Sequence, residues 1–244
     1  MDLVINKNKA YTICVCDDDK IDLDLICNNL ELKGYEVIKF SSPISLLTYY
    51  KQNYALIDLL IFDYLMDING YDLYKECLKI YKTPLIVISS QIELIDINKF
   101  ISLGCNNIIK KPLNFSYLHE VIQELVKKRS DYDKMLGLKL LNGFNELYNK
   151  IEKSFYNTYK DYKERFDKLI YNNDLEALRN EIHKIKGISL NISQIKLYHI
   201  TKVLNYYLKE NVTYKDISAL YLEFEDILNN VLKYIEQESV KNNV

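Results

Sequence analysis

Beyond Pro112 the chain contains no proline, so the residue that most reliably interrupts a helix is missing from its second half. A long apolar run is missing as well. The most apolar stretch, YALIDLLIFDYLM, is broken by Asp58 and Asp63, which excludes a bilayer-spanning helix there. MDLVINKNKA lacks the pattern of a secretory signal. The five cysteines (Cys14, Cys16, Cys27, Cys77 and Cys105) have no C-x-x-C spacing and no histidine at metal-ligand distance. They read as small buried apolar residues in a reducing compartment, and a cytoplasmic location is expected. Charge of one sign is not in excess, with 32 basic against 34 acidic residues, and residues 131–244 carry 17 of each. Neither nucleic acid nor an anionic membrane is therefore expected as a partner. Tryptophan is absent and histidine occurs three times, at His119, His183 and His199.

What is present falls into two patterns. In the first half, short apolar runs alternate with helical spacing. TICVC (12–16), YEVIKF (35–40), DLLIF (58–62), PLIVIS (84–89) and NIIK (107–110) read as strands, each followed by a helix. Five such units with continuous apolar strands predict an α/β doubly wound, five-stranded parallel sheet covered on both faces, in residues 10–128. The charged stretch KKRSDYDK suggests a linker, placed at 129–137. Residues 138–240 then read as an all-α helical bundle, with helices at 138–150, 152–171, 175–190, 194–210 and 214–238.

Chemistry in a doubly wound sheet gathers beyond the carboxyl ends of its strands. Asp17, Asp18 and Asp19 follow the first strand, Asp63 the third, Ser89 ends the fourth and Lys111 follows the fifth. Clustered carboxylates repel unless a cation lies between them, and hard oxygen donors suit Mg²⁺. A lysine and a hydroxyl beside them suit the oxygens of a phosphoryl group. Singly, each residue has a plainer reading as a helix cap, a strand end or a turn. Their joint placement points to a phosphoryl site.

With CVCDDD, LLIFDYLMDINGYDL, TPLIVISS and IIKKP, the first half resembles the flavodoxin-like receiver domain of two-component response regulators. The resemblance implies that Asp63 accepts the phosphoryl group. It further implies that Asp17, Asp18, Asp63 and the backbone carbonyl of Leu65 hold Mg²⁺, and that Ser89 and Lys111 contact the phosphoryl oxygens. Asp67 stands where proline is usual in that family, and Ile108 where an aromatic residue is usual.

In the second half, Leu175, Leu178, Ile182 and Ile185 form an apolar stripe at helical spacing. His183 lies one residue off that stripe, and Lys186 and Gly187 lie three and four positions further on, hence on its face. A lone histidine on a helix is more often surface than nucleophile, and His119 and His199 keep that reading. At His183 the missing side chain of Gly187 opens the approach and Lys186 can offset arriving negative charge. The segment LEALRNEIHKIKGISLNISQIKLYHITKVL resembles the histidine-containing phosphotransfer (HPt) domain, with its H-x-x-K-G core. Ile188 stands where a small residue is common in that family, and Ser193 where a second glycine is usual.

These resemblances imply a phosphorelay protein that is not itself an enzyme of the kinase type, since no Gly-rich nucleotide loop or P-loop is present. The expected partners are a histidine kinase or other phosphohistidine donor for Asp63 and a partner receiver domain for His183. The rival reading keeps the receiver but makes the bundle a protein-interaction module whose histidine is not phosphorylated.

Overall fold

The apolar runs of the first half become the parallel strands β1 (Thr12–Cys16), β2 (Glu36–Phe40), β3 (Leu59–Asp63), β4 (Leu85–Ser89) and β5 (Asn107–Lys110), ordered β2-β1-β3-β4-β5. The computed structural model describes residues 5–105, 107–127, 132–210 and 212–241. It divides the chain into two compact units, Asn8–Arg129 and Ser130–Val244, the latter with Met1–Lys7. Between the strands run α1 (Lys20–Leu32), α2 (Pro43–Asn53), α3 (Gly70–Ile80) and α4 (Ile97–Ser102), and α5 (Phe115–Lys127) follows β5.

The central strands β1, β3 and β4 are buried throughout, which is why their sequences are continuously apolar; β2 and β5 lie at the edges and are partly exposed. Alternate residues serve opposite faces. Ile13, Val15, Ile61, Ile86 and Ile88 pack with Ile26 of α1 and Ile122 of α5. Cys14, Cys16, Leu60, Phe62 and Val87 pack with Leu46 of α2, Cys77 of α3 and Phe100 of α4. All five cysteines are free and buried, and burial pushes the Cys16 and Cys77 thiols up to about 12.

Local chemistry fixes the helix ends. The Asp19 carboxylate accepts N–H bonds from Ile21 and Asp22 and opens α1, and Asn69 does the same for α3 through the N–H of Asp72. Gly34, at φ 91°, turns the chain from α1 into β2, a backbone that side chains disfavour. β3 begins one residue later than the apolar run suggests and ends on Asp63 itself. Just before it, the buried Asp58 carboxylate accepts the Thr12 N–H at 2.9 Å.

The second unit consists, among the described residues, of α6 (Lys134–Leu140), α7 (Asn145–Tyr159), α8 (Tyr162–Tyr171), α9 (Leu175–Ser189), α10 (Ile195–Tyr207) and α11 (Tyr214–Lys241). Three expectations need correction. Residues 134–137 of the expected linker are helical, because Asp133 accepts the Leu136 N–H and starts α6; residues 129–131 lie outside the described residues. The expected helix 138–150 is split by the left-handed pair Asn142 (φ 53°) and Gly143 (φ 79°). The expected helix 152–171 breaks at Lys160 and Asp161, although the buried residues Phe155, Tyr159, Tyr162 and Phe166 keep helical spacing across the break. That continuous stripe hides the break from the sequence. No described helix is long and apolar enough to cross a membrane.

Leu178, Ile182 and Ile185 of α9 are fully buried, as are Tyr148, Phe166, Leu197, Leu204 and Phe224 elsewhere in this unit. The turn after α9 is locked from two sides. Tyr148 Oη donates to Ile192 O at 3.2 Å and bonds Ser193 Oγ at 3.1 Å, and the Asp133 N–H donates to Ser193 O at 3.1 Å. Ser193 itself is left-handed at φ 64°. Gly137 of α6 packs against this turn so closely that a Cβ there would lie 2.9 Å from Asn191 O and nearer still to Ser193 Oγ.

Gly137→Ala is accordingly expected to lower stability by about 1–3 kcal/mol through overpacking. Gly187→Ala, at a helical position with nothing within 4 Å of the new Cβ, is expected to leave it unchanged or raise it by up to about 1 kcal/mol. Denaturant unfolding followed by circular dichroism checks both, and equal losses for the two variants would contradict the packing described.

Candidate functional site

Parallel strands bring their carboxyl ends to one edge, and there the structure collects the acidic residues around a single cation. Asp17 follows β1, Asp63 ends β3 and Lys111 follows β5. Lys111 Nζ lies 2.9 Å from Asp17 Oδ2, 2.7 Å from Asp63 Oδ1 and 2.8 Å from Asp22 Oδ2. The Asp17 side chain is 1 % exposed, that of Asp63 7 % and that of Lys111 15 %, whereas that of Asp22 is 40 % exposed. Of the three carboxylates around Lys111, two are dry and one is wet.

The electrostatics follow from burial and pairing. Burial pushes the Asp17 carboxyl above the usual carboxylate range, and the hydrogen bond and charge of Lys111 only partly oppose this. Burial also works against the Lys111 ammonium, but hydrogen bonds to Asp17, Asp22 and Asp63 outweigh it and hold the proton more tightly than on a free lysine. The pair therefore secures the lysine's charge without fully offsetting the cost of burying Asp17.

Two backbone N–H groups complete the arrangement. Leu65 N–H donates to Asp63 Oδ2 at 2.6 Å, and Asp19 N–H donates to Asp17 Oδ1 at 3.0 Å. Both Asp63 oxygens are thereby fixed, Oδ1 by Lys111 and Oδ2 by Leu65. Ser89 is fully buried at the end of β4, where its Oγ accepts the Gln91 N–H at 3.0 Å. The Lys111 N–H donates to Ser89 O at 2.9 Å, which ties the lysine to that strand end.

Of the residues singled out from the sequence, Asp17, Asp63 and Lys111 meet directly. Asp18 is exposed beside them. Leu65, singled out for its carbonyl, touches Asp63 through its N–H. Among the described residues no three carboxylates, histidines or cysteines are gathered into a metal cage, and the Lys111 ammonium lies between Asp17 and Asp63. Asp22 was not foreseen. Its signal was present in the sequence: it lies three residues after Asp19, in the first turn of the helix that starts at the carboxylate edge.

In the helical unit, His183 is exposed on α9, opposite the buried Ile182 and Ile185. Gly187, one turn on, is exposed with nothing within 4 Å of where a Cβ would stand. Lys186 is half-buried at the side of this face. Lys184 is held by Glu181 at 2.7 Å, and Glu181 also pairs with Arg165 of α8 at 3.5 Å. The other two histidines expected at the surface, His119 and His199, are half-buried, and His119 Nδ1 meets Tyr35 Oη at 3.1 Å.

With this geometry in place, the relatives agree on the first unit. The sequence pattern of the response regulator receiver domain matches residues 13–123. Those residues form a receiver domain of a two-component response regulator. The chain is 30% identical over 103 residues to the regulatory protein VanRc of Enterococcus gallinarum, covering 42% of this chain and 44% of that protein. It is 28% identical over 123 residues to the nisin biosynthesis regulatory protein NisR of Lactococcus lactis subsp. lactis, covering 49% and 52%. The chain thus spans about half the length of these curated relatives. A receiver domain protein from Clostridium thermocellum, of known structure, is 26% identical, with a TM-score of 0.47, over 49% of this chain and 96% of that one.

Lys111→Met leaves Asp17 and Asp63 facing each other without their cation. It is expected to destabilise the receiver unit by about 3 kcal/mol at neutral pH. Adding Asp17→Asn should recover part of that loss. Denaturant titration of the full chain measures both, and an unchanged receiver transition in Lys111→Met would contradict the role given to the ammonium.

Proposed function

We infer that the chain is a phosphorelay protein in which Asp63 accepts a phosphoryl group and His183 exchanges one with the aspartate of a partner receiver domain. The donor to Asp63 is a phosphohistidine, on a histidine kinase or another relay protein. In that transfer an Asp63 oxygen attacks phosphorus, the P–N bond breaks, and the electron pair stays on the donor's imidazole nitrogen. The Leu65 N–H and the Lys111 ammonium orient the carboxylate for attack, and Lys111 and Ser89 serve the phosphoryl oxygens as donors.

The donor set fits Mg²⁺. Asp17, Asp18, Asp63 and the Leu65 carbonyl are hard oxygen ligands, and this ion is ordinarily held by one or two carboxylates plus phosphate oxygens and water, so no closed protein cage is needed. Bound there, Mg²⁺ supplies positive charge to the phosphoryl oxygens.

The observation that carries the histidine half is the open space at Gly187 beside the exposed His183. An imidazole accepts a phosphoryl group only where a partner's active site can close over it, and a missing side chain one turn away gives that access. Lys186 at the side of the face can offset the incoming charge. The chain phosphorylates neither site from ATP on this reading, since no nucleotide loop is present in its sequence.

The test is to incubate the full chain with Mg²⁺ and a phosphorylated partner receiver domain and to compare wild type with His183→Ala and Asp63→Ala. The relay requires an acid-labile, alkali-stable phosphoryl group that survives Asp63→Ala and disappears with His183→Ala. If only alkali-labile aspartyl phosphate forms, the helical unit is an interaction module with an unphosphorylated histidine.

A further inference from the structure

Asp22 has no part in the reading above, yet it holds one third of the bonding capacity of Lys111. An ammonium group has three N–H donors. In the unphosphorylated receiver domain Asp17, Asp22 and Asp63 lie at 2.9, 2.8 and 2.7 Å, so all three have an acceptor. A phosphoryl group on Asp63 brings three terminal oxygens and further negative charge to the same ammonium; esterification neutralises the Asp63 carboxyl and frees one N–H, and a second N–H for those oxygens comes only if another acceptor yields.

We propose that Asp22 is the exchangeable partner of Lys111, a positioning residue that holds the ammonium at rest and yields it to the phosphoryl group on Asp63. The inference rests on the reading of Asp63 as acceptor and adds a competitor to it. The Asp17 side chain is 1 % exposed, so water cannot replace the ammonium there, and in the reading above only Mg²⁺ takes its place. Asp63 is the residue being esterified. The Asp22 side chain is 40 % exposed, so water takes over its solvation on release.

The motion needed is small. The Asp22 backbone N–H is fixed by Asp19 Oδ1 at 3.1 Å in the first turn of α1, so only the Asp22 side chain has to rotate away. Until it does, its negative charge shares the ammonium with the incoming group and opposes it. Asp24 provides an internal control. It lies on the same helix and carries the same charge, but it pairs with Lys39 at 3.0 Å.

The test measures binding of beryllium fluoride, a phosphoryl mimic, to the full chain at saturating Mg²⁺, by calorimetry or by NMR. Asp22→Asn is expected to bind it about two- to fivefold more tightly than wild type, the effect of removing one partly exposed ion pair. Asp24→Asn is expected to match wild type. Equal affinities for wild type and Asp22→Asn, or the same gain in Asp24→Asn, would overturn the proposal. Asp63→Asn tests the underlying reading separately: if binding survives that substitution, Asp63 is not the acceptor, whatever Asp22 does.

Discussion

Two carboxylates buried at the end of a parallel sheet repel each other and lose their water, and both costs fall on the fold. In this chain the Lys111 ammonium answers both, standing between Asp17 and Asp63 with an N–H for each. Much of the surrounding structure positions these three groups. The order β2-β1-β3-β4-β5 makes β1 and β3 neighbours, so their terminal aspartates lie side by side. The Lys111 N–H bond to Ser89 O anchors the lysine to β4, and the third donor reaches out to Asp22 at the rim. The same ammonium that makes the resting cluster tolerable is the group a phosphoryl oxygen would seek. In the proposed relay, structural and chemical roles therefore meet in one side chain.

The helical unit solves a different problem. His183 stands in solvent on a helix whose other face is dry, and in the proposed relay that face has to stay clear. Leu178, Ile182 and Ile185 hold α9 against the interior, while the left-handed Ser193, fixed by Tyr148 and by the close approach of α6 at Gly137, sets where the chain turns into α10. In the proposed relay the exposed face needs little more than His183, the gap at Gly187 and a nearby cation.

The strands were legible because burial on both faces leaves an uninterrupted apolar signature, and the site residues because parallel topology delivers strand ends to one edge. Asp22 shows in the sequence only as an acidic residue in the first turn of α1, while its bond depends on that turn lying beside a lysine about ninety residues away. The two breaks in the helical half differ in legibility. Asn142 and Gly143 form a turn pair visible in the sequence, whereas the break at Lys160 and Asp161 sits inside an unbroken apolar period and carries no glycine or proline. Ser193 adopts φ 64°, a left-handed backbone that a glycine would suit.

The central claim is that the carboxylate held by Lys111 and the Leu65 N–H is the one that becomes phosphorylated. Borohydride reduces an aspartyl phosphate to homoserine, and mass spectrometry of peptides from the treated full chain locates the converted residue. After incubation with a small acyl phosphate and Mg²⁺, the account predicts homoserine at position 63. Conversion at Asp17, Asp18 or Asp22 instead, or none at all, would contradict it.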